Sequence, residues 1–217
     1  MKNIKVIPIS VPTAEDLSII TDAARMTQVR DYEFGNQPNT KLVVSLIKMG
    51  HWAPLEFVDM TVLIRGCSRT FLAQITRHRL CSFMSSSQQY QLHNDFHYVI
   101  PEEFVDNSEY SALMDTINTE YCKFEKTVGR DVARYVLPNA CRVDLLIKAN
   151  LRQWLSVIIP QRICHRNTPE TKHIMKLICE LLPYNLLTGP ACLTMGICDQ
   201  GKMACSTPYT CKEELLP

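Results

Sequence analysis

Residues 77–90 read Arg77-His78-Arg79-Leu80-Cys81-Ser82-Phe83-Met84-Ser85-Ser86-Ser87-Gln88-Gln89-Tyr90. Two guanidiniums and an imidazole open the stretch, four hydroxyls follow within six positions, and two amides and a tyrosine close it. No carboxylate occurs in it. This composition suits an anion such as phosphate, because guanidinium and hydroxyl donors make charge-assisted hydrogen bonds to its oxygens. It is equally compatible with a solvated loop after a helix. Three further clusters carry polar groups at distinctive places. Gly50-His51 precedes a turn, Arg134 lies among apolar neighbours in residues 133–138, and Asn150-Leu151-Arg152 is followed by Gln161-Arg162 beyond Pro160. Singly, these fit a structural histidine, a snorkelling surface arginine and a polar helix face.

Together the clusters share a chemistry. Fixed positive charge recurs with few carboxylates beside it. There is no Ser-His-Asp spacing, no H-E-x-x-H and no glycine-rich phosphate loop, so hydrolase, metalloprotease and Walker-type NTPase chemistry lack support. Arg, Gln, Ser and Asn side chains suit a phosphorylated ligand and the polar edge of a base. Redox chemistry at such a site would require a bound cofactor.

The elements that must position these groups follow from periodicity and punctuation. Residues 3–8 alternate as a short strand. Thr13, with Asp16 three residues on, starts a helix to about Met26, and Asn39-Thr40 starts another that ends at Gly50. Residues 51–57 read as a turn, and residues 58–66, β-branched and stopped by Gly66, as a strand. Ser68 caps a predicted helix that includes Phe71, Leu72, Ile75 and the 77–79 triplet. Residues 96–101 read as a strand, 108–127 as a helix, 129–137 as a second helix and 142–148 as a strand. A helix from Asn150 to about Ile159 is expected to break at Pro160, and a last one runs from Pro169 to Leu182, stopped by Pro183. One mixed α+β domain with a loop-rich tail is the economical organisation.

The 217 residues are long enough for one large domain or two small ones. Hydrophobic content of 46% and charged content of 21% are ordinary for a globular chain. A net charge of +1 provides no global field toward nucleic acid or membrane, so any anion site is local. No apolar run approaches the roughly 20 residues of a membrane helix. Pro8 and Pro12 interrupt the start of the chain, leaving no apolar signal-peptide core. The expected location is cytoplasmic, with neither nucleic acid nor membrane as partner. Six of the ten cysteines are scattered singly. Cys192, Cys198, Cys205 and Cys211 cluster in the tail without a C-x-x-C pair, leaving a structural metal or redox role there open.

The order and spacing of these residues resemble one family. R-H-R, seven residues, then Ser is present as Arg77-His78-Arg79 with Ser87. Gly50-His51 with Leu55-Glu56, Ala133-Arg134 before Val136-Leu137-Pro138, and Asn150-Leu151-Arg152 follow the same family pattern in order. The chain thereby resembles the flavin-dependent thymidylate synthases. The resemblance implies an α+β fold with a central antiparallel sheet flanked by helices, a catalytic domain over residues 1–183, and residues 184–217 as a cysteine-bearing tail of the same domain. It implies a homotetramer with active sites at subunit interfaces. It also implies FAD as cofactor, NADPH and 5,10-methylenetetrahydrofolate as co-substrates, and a pyrimidine nucleoside monophosphate (dUMP by default) methylated at C5. By position, His51, Glu56, Arg77, His78, Arg79, Ser85, Asn150 and Arg152 would contact FAD. Gln74, Ser87, Gln89, Arg134 and Arg162 would hold the nucleotide, with Ser87 and Arg162 catalytic, and no metal is implied.

The chain also departs from the family. Where the family usually has a substrate-phosphate arginine, this chain has Gln89. Met84 and Ser85 replace more polar or acidic residues, and the base-contacting arginine falls at Gln161 by strict count or at Arg162 with a one-residue insertion. These differences leave room for another pyrimidine nucleotide (dCMP or UMP), a hydroxymethyl product, or a binding protein without turnover.

Overall fold

The structure is a computed structural model that describes residues 3–35, 37–88, 97–164 and 166–187. Gln89, Tyr90 and the four tail cysteines lie outside the described residues.

The fold is α+β, with a four-stranded antiparallel sheet in the order β1-β2-β4-β3. The strands are β1 (Lys5–Ser10), β2 (Asp59–Ser68), β3 (Ser82–Ser85) and β4 (Arg142–Asn150). The helices are α1 (Ala14–Arg25), α2 (Thr40–Lys48), α3 (Arg69–Ile75), α4 (Ser108–Val128), α5 (Arg130–Ala133), α6 (Leu151–Gln153), α7 (Ile159–Ile163), α8 (Pro169–Cys179) and α9 (Tyr184–Leu187). Contacts group the chain into two compact units. One comprises Met1–Ile7, Leu63–Arg79 and Phe83–Ile147; the other comprises Pro8–Val62, Leu80–Ser82 and Lys148–Pro217.

In the first unit, the sheet residues alternate. Val143, Leu145 and Ile147 of β4 are buried, while the residues between them are half-exposed. That period of two buries one face of the strand. β2 does not stop at Gly66 as predicted. Gly66 adopts φ +73° and its N–H donates to Asp144 Oδ1 at 2.9 Å, so the strand bends there and continues to Ser68. A Cβ at Gly66 would stand 3.3 Å from the Asn3 carbonyl and 3.7 Å from Arg142 Cδ. Gly66→Ala is therefore expected to cost about 1–2 kcal/mol from the left-handed backbone and lower Tm by about 2–8 °C for a chain of this size. A thermal melt of the full chain checks it, and an unchanged Tm would contradict the strain.

Ser68 caps α3 as predicted, its hydroxyl accepting from the Phe71 N–H at 3.0 Å. The helix ends at Ile75, however, and the 77–79 triplet lies beyond it in a turn. There His78 is 6% exposed, while Arg77 and Arg79 stay in solvent. Leaving the helical path buries one imidazole and desolvates neither guanidinium, which would be the costlier burial. The serine-rich stretch contains a strand, β3, that the sequence pattern does not announce. Conversely, the expected strand at 96–101 is only a single bridge from Tyr98 to Cys141. Phe96 is outside the described residues, and Pro101 lacks the N–H to extend a ladder. Beside that bridge, Met114 and Cys141 form a small core with Tyr98, Tyr110, Ile117, Leu137 and Ala140.

In the second unit, α1 begins with the capping box expected at Thr13 and Asp16, and Asn39 caps α2 by accepting from the Leu42 N–H at 3.0 Å. The predicted turn over residues 51–57 contains a 3-10 helix, Ala53–Phe57. The helix starting at Leu151 does not break at Pro160. It passes through a wide π turn, Trp154–Ile158, and continues as α7 to Ile163. The wider turn accommodates a proline ring that would otherwise strike the carbonyl four residues back. Trp154, fully buried, donates its indole N–H to the Met60 carbonyl at 3.1 Å.

Candidate functional site

The predicted site residues fall into both units. In the second unit, Gly50 adopts φ +76° just after α2, and the His51 N–H closes the turn on the Leu46 carbonyl at 2.9 Å. This leaves His51 exposed at the mouth of a cavity of about 670 Å³, lined also by Ala23, Met26, Leu46, Met49 and Phe57. The 3-10 turn carries Glu56 on its exposed side. The Leu151 N–H donates to the Val58 carbonyl at 2.7 Å, which brings the start of α6 to the end of that turn. Arg152 Nη1 then pairs with Glu56 Oε1. Asn150 caps α6, its Oδ1 accepting from the Gln153 N–H at 2.8 Å. This bond uses one of the two lone pairs of the oxygen and leaves the Asn150 amide NH2 available as a donor. Gln161 is exposed and Arg162 half-buried in α7.

In the first unit, Gln74, Arg77 and Arg79 are exposed, and Arg77 and Arg79 enter no ion pair among the described residues. Ser85 is on β3 and Ser87 just after it, both half-buried. The exit of β3 is held on β4 by a reciprocal pair. The Ser86 N–H donates to the Asp144 carbonyl at 2.9 Å, and the Asp144 N–H donates to Ser86 Oγ at 3.0 Å. Gln88 Nε2 reaches Cys141 Sγ at 3.5 Å. Arg134 is tied to its own turn, with Nη2 2.9 Å from Asp131 Oδ1 and Nε donating to the Asp131 carbonyl at 3.1 Å. The structure thus joins Glu56, Asn150 and Arg152 in one unit, and sets Ser85 and Ser87 along one strand exit in the other.

The described cysteines are free thiols. Burial pushes the Cys81 thiol up to about 11, partly opposed by its hydrogen bond with Gln153, and pushes Cys141 up as well. Both remain protonated at neutral pH and are poor nucleophiles there. Among the described residues, no group of three or more His, Cys, Asp or Glu side chains could hold a metal ion, and no helix is long and apolar enough to cross a membrane.

Three polar residues near these positions were not singled out from the sequence: Gln153, buried against Cys81, and Arg69 and Asn139, which share a cleft with Ser85. Arg69 carries one legible signal. It directly follows the helix cap Ser68, and the first turn it opens holds no acid to pair with it.

Cations, amides and hydroxyls with few acids beside them are groups suited to an anionic ligand. Residues 11–184 match the family described as thymidylate synthase complementing protein, and the chain belongs to that family. It is 29% identical over 206 residues to the flavin-dependent thymidylate synthase of Clostridium tetani, covering 81% of this chain and 80% of that one. It is 28% identical over 215 residues to that of Thermococcus kodakarensis, covering 88% and 87%. Among solved structures, it is similar to thymidylate synthase X from Helicobacter pylori with FAD and dUMP, at a TM-score of 0.68 and 23% identity over 84% of this chain and 94% of that one. A second structure of that enzyme, complexed with FAD and dUMP, gives a TM-score of 0.70 at 21% identity over 86% and 99%. The chain is accordingly an enzyme-family member with the fold of those structures.

Proposed function

We propose that the chain is an FAD-dependent methyltransferase. It would move the methylene of 5,10-methylenetetrahydrofolate to C5 of a pyrimidine nucleotide, dUMP by default, with NADPH as reductant. The observation that carries this is the Glu56–Arg152 pair at the start of the Asn150-capped helix, in a chain of this family. The reaction balances as dUMP, methylenetetrahydrofolate, NADPH and a proton giving dTMP, tetrahydrofolate and NADP+. The proton originally on C5 leaves to solvent.

The donor set fits FAD. Arg77 and Arg79 are solvent-facing guanidiniums without a carboxylate partner among the described residues, and such groups can pair with a pyrophosphate. Bound flavin would supply hydride transfer. By the family resemblance Arg152, held by Glu56, and the Asn150 amide would offer donors to FAD, and His51, His78 and Ser85 are the further residues that would contact it. Gln74, Ser87, Gln89 and Arg134 hold the nucleotide. Arg162 would offer a cation to the uracil carbonyls, where it could stabilise negative charge developing on the base. Tyr135, 85% exposed, and Val132 lie beside Arg134 as uncovered apolar surface, which supports a homotetramer whose subunits share each site. Every residue named here lies within residues 1–183, the proposed catalytic domain, with 184–217 its tail. The proposed setting is cytoplasmic, without nucleic acid or membrane as partner.

Gln89, in place of an arginine, favours a second reading in which another pyrimidine nucleotide such as dCMP or UMP is accepted, or a hydroxymethyl product formed. The test is tritium release from C5-labelled dUMP and dCMP with folate, FAD and NADPH, run beside an active family member. Release from dUMP is expected. Release from dCMP alone would replace the substrate, and release from neither would leave a nucleotide- or flavin-binding protein without turnover.

A further inference from the structure

The connection between α1 and α2 gains little from burial. From Met26 to Gly35 every residue but Tyr32 is exposed. On α1, Asp22 and Thr21 are buried, at 3% and 0% exposure, and both turn oxygens to the connection. Asp22 Oδ1 accepts from the Tyr32 hydroxyl at 2.6 Å, and Oδ2 accepts from the Gly35 N–H at 2.8 Å. A carboxylate this deep needs such donors, because burying an unpaired charge is costly. Gly35 meets it at φ +102°, a backbone conformation that favours glycine.

Thr21 adds a third tie. Its hydroxyl donates to the Leu17 carbonyl at 2.9 Å, and its oxygen accepts from the Asn39 N–H at 3.1 Å. Asn39 is also the cap of α2, through the Leu42 N–H. Two adjacent residues of α1 therefore fix the path of the connection and the first turn of α2. The same two helices wall the cavity of about 670 Å³ at His51. Met26, Thr27 and Gln28 line it from the exit of α1, and Leu42, Leu46 and Met49 line it from α2 and its C-cap. Beyond that cap, Gly50 leads directly to His51. The connection runs from one wall to the other, so its path constrains how far apart they stand.

We propose that Asp22 is a positioning residue of the cofactor site: its carboxylate straps the α1–α2 connection and so holds the walls of the His51 cavity in the arrangement that receives a ligand. For the identity of that ligand, FAD, it rests on the function proposed above. Asp22 does not itself line the cavity and acts through Tyr32, Gly35 and the placement of α2. A loosened strap leaves only a fraction of the chains with the walls in place, and the apparent affinity for the ligand falls with that fraction.

The test compares wild type, D22A, D22N and Y32F as full chains by amide hydrogen exchange and by FAD affinity, the latter read from flavin fluorescence on dilution. In D22A the amides of residues 32–39 are expected to exchange about 10- to 150-fold faster, the worth of a lost bond to a charged group. The amides of β4 should keep their wild-type rates, which a general loss of stability would not allow. FAD should weaken in D22A by up to the same factor. D22N should restore most of both, because its Oδ1 can still accept from the Gly35 N–H while its amide donates to the Tyr32 oxygen. If D22A does not fold, Y32F carries the comparison, since it removes one bond at a half-exposed ring. Wild-type exchange at residues 32–39 in the folded variants overturns the proposal, as does faster exchange there with unchanged FAD affinity. A wild type that binds no FAD would sink the function proposed above instead, and the exchange rates would still decide the strap.

Discussion

Arg152→Met is expected to yield a chain that folds as well as the wild type and holds FAD about 10- to 150-fold more weakly, the worth of one charge-assisted hydrogen-bonding group of about 1.5–3 kcal/mol. The two halves of this expectation have different causes. Arg152 and Glu56 are each nearly half exposed, so their mutual attraction is screened and contributes about 0–1 kcal/mol to stability. Methionine keeps most of the arginine stem and its packing. What disappears is the cation paired with Glu56. Glu56→Gln should weaken FAD less, because it loosens the orientation of Arg152 without removing its charge. Flavin absorbance of the purified proteins and a thermal melt decide it. Equal flavin content in R152M and wild type would remove Arg152 from the cofactor site, and a large fall in Tm would make it a structural residue.

The second large effect concerns stability. Trp154 has no exposed surface, and its indole N–H is spent on the Met60 carbonyl of β2. Trp154→Ala leaves a cavity and removes a donor from the Met60 carbonyl, and deletions of this size cost about 3–5 kcal/mol. For a chain of this length that is a fall in Tm of roughly 6–20 °C. Trp154→Phe keeps much of the volume and loses only the donor, so its cost should be nearer 1–3 kcal/mol. The main-chain carbonyl of residue 154, which accepts the Ile159 N–H across the π turn, is kept in both variants, so the comparison reads the side chain alone. Equal Tm values for the two variants would show that the hydrogen bond, and not the buried volume, governs the site.

Legibility along this chain follows the range of the interactions. The capping box of α1 and the Asn39, Ser68 and Asn150 caps are readable because each bond joins residues three apart. The long α4 is readable because its apolar spacing persists over 21 residues. β3 is not, since four residues reading Ser-Phe-Met-Ser become a strand only by pairing with β4. Pro160 and Gly66 mislead for the same reason. Each is a breaker by type, but a π turn absorbs the first and the Asp144 carboxylate stabilises the bend at the second. The end of α3 before Arg77 depends on where His78 is buried, a tertiary matter.

By itself the sequence determined the α+β character, most elements, the family to which the chain belongs, and the ordered set of cations, amides and hydroxyls, because these are properties of residue type and short spacing. Only the tertiary structure decided which of those groups meet. Arg152 finds Glu56 across 96 residues, Gly66 finds Asp144 across 78, and Asp144 anchors Ser86 across 58. Arg69 and Ser85, 16 positions apart in the sequence, likewise come to line one cleft, which no local pattern encodes.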